Sequence, residues 1–355
     1  MNDKKALHKS GSADKDDLFG GRHPTDPEHN PDYILEVKHL KKYFPLGTNS
    51  VGRATSYLRA VDDVSFRVRP GTTVGIVGES GCGKTTMGRT IMRLYSVTGG
   101  KVLFKGVDLA TLSAGELRSV RPKLQMIFQD PYSSLSPRMP VGEIIGEAVR
   151  VHKIVPQSEH KQYVLKVMEE CGLPAHYYDR YPHEFSGGQR QRICIARSLA
   201  LKPELIICDE PVSALDVSIQ AQIINLLRDL QEKQSLSYIF ISHDLSVVRH
   251  ISDEVGVMYL GSMVEYSPTE DIFESPLHPY TEALLSAVPV PDPAVKMNHK
   301  ILTGDIPSPA NPPSGCKFHT RCGHCTERCR CEVPELREVK PGHFVACHLY
   351  DGKNL

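Results

Sequence analysis

The chain has 355 residues, and its 42 Lys+Arg are balanced by 42 Asp+Glu. That length accommodates one large α/β domain plus an extension. A formal charge of zero offers no basic excess for nucleic acid. No run of about eighteen apolar residues is present to cross a bilayer.

Residues 1–30 are rich in Asp, Lys, His, Gly and Pro and lack the apolar core of a signal peptide. They are expected to form a disordered leader. Residues 34–130 are expected to give an antiparallel β edge and a phosphate-binding core. Residues 47–57, rich in Gly, Ser, Thr and Asn, are expected to be a loop between the early strands. Thr73-Val74-Gly75-Ile76-Val77 is an apolar, β-branched run that suits a strand buried on both faces.

Directly after it, Gly78-Glu79-Ser80-Gly81-Cys82-Gly83-Lys84-Thr85-Thr86 fits the phosphate-loop pattern G-x-x-x-x-G-K-[ST]. The glycines let backbone N–H groups approach phosphate oxygens where a side chain would clash. A helix from about residue 84 to 94 aims its positive N-terminus at those phosphates. Lys84 supplies a full charge to the β- and γ-phosphates, and Thr85 offers a hydroxyl to Mg²⁺. Cys82 is expected to be a small filler within the loop.

Leu124-Gln125-Met126-Ile127-Phe128 is a further strand candidate, ending in Gln129. A neutral amide there could ligate Mg²⁺, hold a water, and withdraw if its loop moves. Residues 131–185 are expected to be mostly helical, with an amphipathic helix over 141–149. Ser186-Gly187-Gly188-Gln189 is an S-x-x-Q capping box that opens a helix. Its two glycines leave the first N–H groups uncovered, so this terminus can also bind an anion. It lies more than a hundred residues after the phosphate loop, so a shared ATP cannot be assumed.

Leu205-Ile206-Ile207-Cys208-Asp209 is a second buried strand that ends in two acids. Asp209 suits a Mg²⁺ contact through water. Glu210 is placed to orient and deprotonate an attacking water. Asp216 can cap the helix that follows. Tyr238-Ile239-Phe240-Ile241 is a third strand, and it delivers His243 towards the γ-phosphate. Without an internal repeat, one ATPase domain is expected rather than a fused pair.

Six of the ten cysteines follow residue 315: Cys316, Cys322, Cys325, Cys329, Cys331 and Cys347. In a reducing compartment such a cluster points to a metal, zinc or an iron–sulfur centre, rather than to disulfides.

From about residue 34 to 287 the chain resembles the ATP-binding subunits of ABC transporters. Residues 78–86 look like Walker A, Gln129 like the Q-loop glutamine and Ser186 to Gln189 like the signature motif. Asp209 is similar to the Walker B aspartate, Glu210 to the catalytic glutamate, Asp216 to the D-loop aspartate and His243 to the switch histidine. Phe44 matches the aromatic that stacks on adenine, with Tyr43 the neighbouring candidate. The resemblance implies a P-loop NTPase core with an antiparallel β edge. It also implies a helical subdomain over about 131–185, within an ATPase domain spanning 31–275. In that family the signature turn of one subunit closes on ATP held by another.

A narrower resemblance covers residues 276–355. Leu277-His278-Pro279-Tyr280-Thr281, Pro307-Ser308-Pro309, Gly315-Cys316 and Arg321-Cys322 look like the tail of oligopeptide/dipeptide import ATPases. Asp130-Pro131 and Ser136-Pro137-Arg138-Met139 match the F-type subunit of that family. This implies a [4Fe–4S] cluster, or Zn²⁺, on Cys316, Cys322, Cys329 and Cys347; Cys325 and Cys331 exceed the pattern and leave a rival ligand set open. It further implies a second, related ATPase as partner, two membrane permeases and an extracytoplasmic peptide-binding protein. The location implied is the cytoplasmic face of a bacterial inner membrane. A nickel importer of the same family, and a soluble ABC ATPase of translation or repair, are the rival functions.

Overall fold

The structure is a computed structural model that describes residues 25–48, 54–288, 302 and 304–352. The first part of the expected leader lies outside the described residues. Residues 25–30 are packed rather than loose. Asp26 N donates to Gly106 O at 2.9 Å and its carboxylate pairs Lys101 at 2.7 Å, while His29 Nδ1 meets Glu36 Oε1 at 2.6 Å.

Two sheets carry the fold. The first has the order β2-β1-β4-β5 and is antiparallel, from β1 (Leu35–Thr48), β2 (Ala54–Val68), β4 (Gly99–Phe104) and β5 (Val107–Asp108). This is the expected β edge, but it takes in most of the expected loop. Leu46 pairs Ser56 and Thr48 pairs Ala54, so residues 54–57 are strand. Two long antiparallel strands satisfy one another's backbone groups, and that outweighs the turn-forming composition.

The second sheet has the order β11-β12-β10-β9-β3-β8-β7-β6. Its strands are β3 (Thr73–Val77), β6 (Leu124–Ile127), β7 (Leu205–Asp209), β8 (Ser237–Ile241), β9 (Glu254–Tyr259), β10 (Ser262–Pro268), β11 (Arg337–Lys340) and β12 (His343–Val345). From β9 through β3, β8 and β7 to β6 the pairing is parallel. Every residue of β3, β7 and β8 is buried, as an unbroken apolar run predicts.

Side chains alternate across this sheet and divide two cores. Leu205, Ile207, Ile239 and Ile241 join the core shared with the antiparallel sheet. Ile206, Cys208, Tyr238 and Phe240 join the one built with the helical segment. The helix Lys84–Ile91 is part of the former, with Met87 and Ile91 fully buried. A Cβ at Gly88 would sit 3.1 Å from Ile241 and 3.2 Å from Ile207, so the helix lies close on the sheet. The helical segment contains Val141–Val151 and His160–Glu170, which pack on the helix Gly187–Leu199. No helix among the described residues is long and apolar enough to cross a membrane.

The tail is not a separate lobe. β12 pairs antiparallel with β10, so the residues after 276 add a hairpin to the ATPase sheet. The join is a buried carboxylate. Glu265 accepts from Leu277 N at 2.6 Å and from His278 N at 3.0 Å, and its Oε1 meets His343 Nε2 at 2.7 Å. Glu265 and His343 are both fully buried. Replacing Glu265 by Ala orphans these groups and is expected to cost about 3 kcal/mol or more of stability. Denaturant unfolding of the purified chain measures it.

Candidate active site

The phosphate loop follows β3, as expected. Gly78 and Gly83 are required by the protein's own backbone as well as by any ligand. Their φ angles are 148° and 107°, and a Cβ would fall 2.2 Å from Met258 O and 2.1 Å from Ala60 O. Gly83 caps the helix Lys84–Ile91 without a side-chain bond, which leaves the first amides open to an anion. Ser80 and Gly81 are exposed at the tip, and Thr86 is half-buried. Lys84 is buried; its Nζ donates to Gly78 O at 2.7 Å and Glu79 O at 3.0 Å. Cys82 is buried as a filler, and burial pushes its thiol pKa up.

Thr85 and Asp209 meet at the base of the loop, Oγ1 to Oδ1 at 2.7 Å. Asp209 is fully buried, and burial raises its carboxyl pKa against the pull of the Thr85 bond. Its second oxygen, Oδ2, is buried with no hydrogen-bond partner among the described residues. A hydroxyl beside a carboxylate with a free lone-pair face is a donor set that fits Mg²⁺. Mg²⁺ bound there would neutralise phosphate charge.

Two side chains gather on the next residue, Glu210. Gln129 Nε2 donates to Glu210 Oε2 at 2.9 Å, and His243 Nδ1 lies 3.3 Å from the same oxygen. Glu210 N donates to Ile241 O at 3.0 Å, which ties the end of β7 to β8. Glu210 has φ 47°, a left-handed conformation that a non-glycine residue adopts at a cost of about 1 kcal/mol. The strain turns the carboxylate out of the strand and towards the amide and imidazole. The side chain of Glu210 is 15% exposed and that of His243 56%, so the acid is sheltered while the histidine faces out.

The capping box forms as expected. Ser186 N donates to Gln189 Oε1 at 3.0 Å, and Gln189 N donates back to Ser186 Oγ at 3.4 Å. Ser186 and Gly187 are exposed. Among the described residues no hydrogen bond or ion pair joins residues 186–189 to the phosphate loop. The turn packs instead beside Asp216: a Cβ at Gly187 would lie 3.2 Å from Leu215, and one at Gly188 2.5 Å from Ile219. Asp216 caps its helix, accepting from Ser218 Oγ at 2.7 Å and Ile219 N at 3.0 Å. Those two bonds lower its pKa.

Phe44 is half-buried, edge-on to Tyr95 at 5.3 Å, with the Lys42 ammonium 4.7 Å from its ring. Tyr43 donates its hydroxyl to Asp62.

The tail touches the site, which sequence separation alone did not suggest. Arg321 forms a bidentate pair with Glu79 of the phosphate loop, and Tyr280 Oη accepts from Glu79 N at 2.9 Å. The Leu277-His278-Pro279-Tyr280-Thr281 motif thus acquires a physical role. Glu265 holds its first two amides, and His278 Nδ1 caps the helix Pro279–Ser286 by accepting from Tyr280 N at 3.0 Å. Burial lowers the His278 pKa to about 4, which keeps that nitrogen an acceptor.

The cysteines assemble less completely. Cys322, Cys325 and Cys329 act electrostatically on Cys316, Cys325 and Cys329 on Cys322, and Cys316, Cys322 and Cys329 on Cys347. Burial, then these neighbours, push Cys316 to about 11 and Cys347 to about 12. Cys331 is exposed. Yet among the described residues no group of three or more His, Cys, Asp or Glu is disposed to hold a metal. The expectation of a ready four-thiolate site is therefore not met: uncharged thiols have no mutual attraction to bring them to ligand spacing.

Comparisons with known proteins agree with this architecture. A dimeric, post-hydrolysis state of the ATP-binding cassette MJ0796 bound to ADP and Pi superposes with TM-score 0.60 at 26% identity, covering 66% of this chain and 99% of that one. CbiO1 of Clostridium perfringens, part of the ABC transporter complex cbiONQ, gives 0.59 at 26% identity over 69% and 92%. The ABC transporter family profile matches residues 61–213, and that of the oligopeptide/dipeptide transporter C-terminal region matches residues 264–329. The chain is similar to the oligopeptide transport ATP-binding protein AppF of Bacillus subtilis, 56% identical over 90% of this chain and 98% of AppF. It is also similar to the "Probable peptide ABC transporter ATP-binding protein y4tS" of Sinorhizobium fredii, 52% identical over 90% of each. The chain belongs to the ATP-binding subunits of ABC transporters, in the branch that carries the oligopeptide/dipeptide transporter C-terminal region.

Proposed function

We propose that this chain hydrolyses ATP to power uptake of di- and oligopeptides through an ABC importer. The observation that carries this reading is the combination of the Glu210–Gln129–His243 group beside the phosphate loop with a tail of the peptide-transporter type. Lys84 and the open helix terminus bind the triphosphate; Thr85 and Asp209 hold Mg²⁺. Glu210 takes the proton of the attacking water, and Gln129 and His243 orient that oxygen and the γ-phosphate.

The exposed signature turn at Ser186 acts on ATP held by a partner. As an F-type subunit, the chain pairs with a related but different ATPase. The pair sits on the cytoplasmic face of the membrane against two permeases, and an extracytoplasmic binding protein delivers the peptide. Reconstitution of this chain with its permeases and partner in proteoliposomes tests the function. ATP-dependent accumulation of labelled peptide is expected. Accumulation of nickel without peptide would transfer the cargo to the metal-import branch, and ATP hydrolysis with no cargo would end the importer reading.

We further propose that Cys316, Cys322, Cys329 and Cys347 bind a [4Fe–4S] cluster that draws the thiolates together and staples the tail. The six cysteines that follow residue 315 supply the soft ligands such a cluster takes, which supports this. Protein purified without air is expected to be brown and to contain iron and acid-labile sulfide. Serine at any of the four should lose the colour, while Cys325→Ser and Cys331→Ser keep it. Zinc without sulfide would mean a structural zinc site, and neither metal would leave six reduced thiols.

A further inference from the structure

The residue that most tightly joins the tail to the site is Glu79, held at three points by three different parts of the chain. Its carbonyl accepts from Lys84 at 3.0 Å, its amide donates to Tyr280 at 2.9 Å, and its carboxylate is forked by Arg321. The fork is bidentate, Nη1 to Oε2 at 2.8 Å and Nη2 to Oε1 at 3.0 Å. Arg321 is 7% exposed and Glu79 22%, so the pair is largely shielded from solvent.

Arg321 is itself held. Its guanidinium lies 5.8 Å from the Tyr259 ring. Its amide donates to Phe318 O at 3.0 Å, and Phe318 packs on Tyr259 and Tyr280 with centroids 5.2 and 5.4 Å away. A second anchor lies four residues upstream: Lys317 Nζ bonds Asp62 at 2.8 Å, Ser262 Oγ at 2.8 Å and Leu260 O at 3.0 Å.

A carboxylate in a loop built to receive a triphosphate is an electrostatic liability. Like charges repel most where water is scarce, and this acid sits one residue after the glycine that opens the loop. We propose that Arg321 is a positioning residue for nucleotide binding. Its fork neutralises Glu79 and turns that carboxylate away from the phosphates, while Tyr280 fixes the adjacent amide. The tail is then part of the ATP site as well as a decoration of the sheet. This rests on the phosphate-loop reading.

The test is MgATP titration and steady-state hydrolysis in the full importer complex. Parent protein serves as the reference for the loop itself. Arg321→Ala is expected to raise the Kd and KM for ATP about tenfold, with a smaller change in the saturated rate. Adding Glu79→Gln to Arg321→Ala removes the unpaired charge and is expected to restore affinity to within about threefold of the parent. A purely structural arginine would give no such rescue. Arg321→Lys keeps the charge but not the fork, so it should fall between parent and Arg321→Ala; it also serves if the alanine variant does not fold.

Equal loss in the single and double variants would overturn the proposal, as would ATP affinity unchanged in both Arg321 variants. A parent that binds no ATP would overturn the phosphate loop and the clasp together. A parent that binds ATP with indifferent Arg321 variants would overturn only the clasp.

Discussion

Glu210→Gln is expected to lower ATP turnover in the assembled importer by about 10²- to 10⁴-fold while ATP stays bound. The amide keeps the shape and the sheltered position of the carboxylate. It can still meet Gln129, whose Nε2 is 2.9 Å from Oε2, after its own rotation. What it cannot do is accept a proton from water. The left-handed backbone at φ 47° points to the same conclusion, since that cost persists only where the surrounding structure fixes the carboxylate in place. The expected product is an ATPase pair trapped closed on unhydrolysed nucleotide, visible as stoichiometric ATP retained after gel filtration. Hydrolysis within a few-fold of the parent would remove Glu210 from the role of base. Lys84→Ala fails at a different step: with the buried ammonium gone, ATP affinity itself should fall, by about 10-fold or more.

The two replacements separate because the residues follow different strands, Lys84 after β3 and Glu210 after β7, and those strands were legible. Residues 73–77 and 205–209 are unbroken apolar runs ending in chemistry, and both are strands over those bounds. Ser186 and Gln189 form the capping box their spacing announces, and Asp216 caps its helix. Local rules suffice for such features because the interacting groups lie within a few residues of one another.

What was not legible depends on distant partners. Residues 47–57 have a loop's composition, yet strand pairing claims most of those described. Residues 25–30 resemble the leader that precedes them, yet Lys101 and Gly106 hold them down. Arg321 and Glu79 are separated by 242 positions, and no periodicity links them. The tail lies far from Lys84 along the chain, yet Arg321 and Tyr280 bring it onto the phosphate loop. The cysteine pattern was legible as chemistry, but thiol spacing in sequence does not set thiol spacing in space.

Ser186→Arg is expected to abolish hydrolysis at the partner's nucleotide, by about 10²- to 10³-fold, while this chain's own ATP remains bound. The helix Gly187–Leu199 opens on Ser186, which caps Gln189 N, and Ser186 and Gly187 are exposed. Neither it nor its neighbours to Gln189 bond to the chain's own phosphate loop among the described residues. On the proposed reading, a second subunit supplies the phosphate that this outward-facing terminus receives. Arginine there removes the hydroxyl that caps Gln189 N and sets a long side chain across the helix terminus. The charge alone would favour phosphate, so the expected loss comes from blocked approach of the two subunits. Photolabelling with an azido-ATP distinguishes the two sites: label on this chain should be unchanged, while single-turnover release of phosphate from the partner fails. Loss of label from this chain would mean that the turn serves its own loop. An isolated chain that turns over ATP at the rate of the complex would mean that no shared site exists.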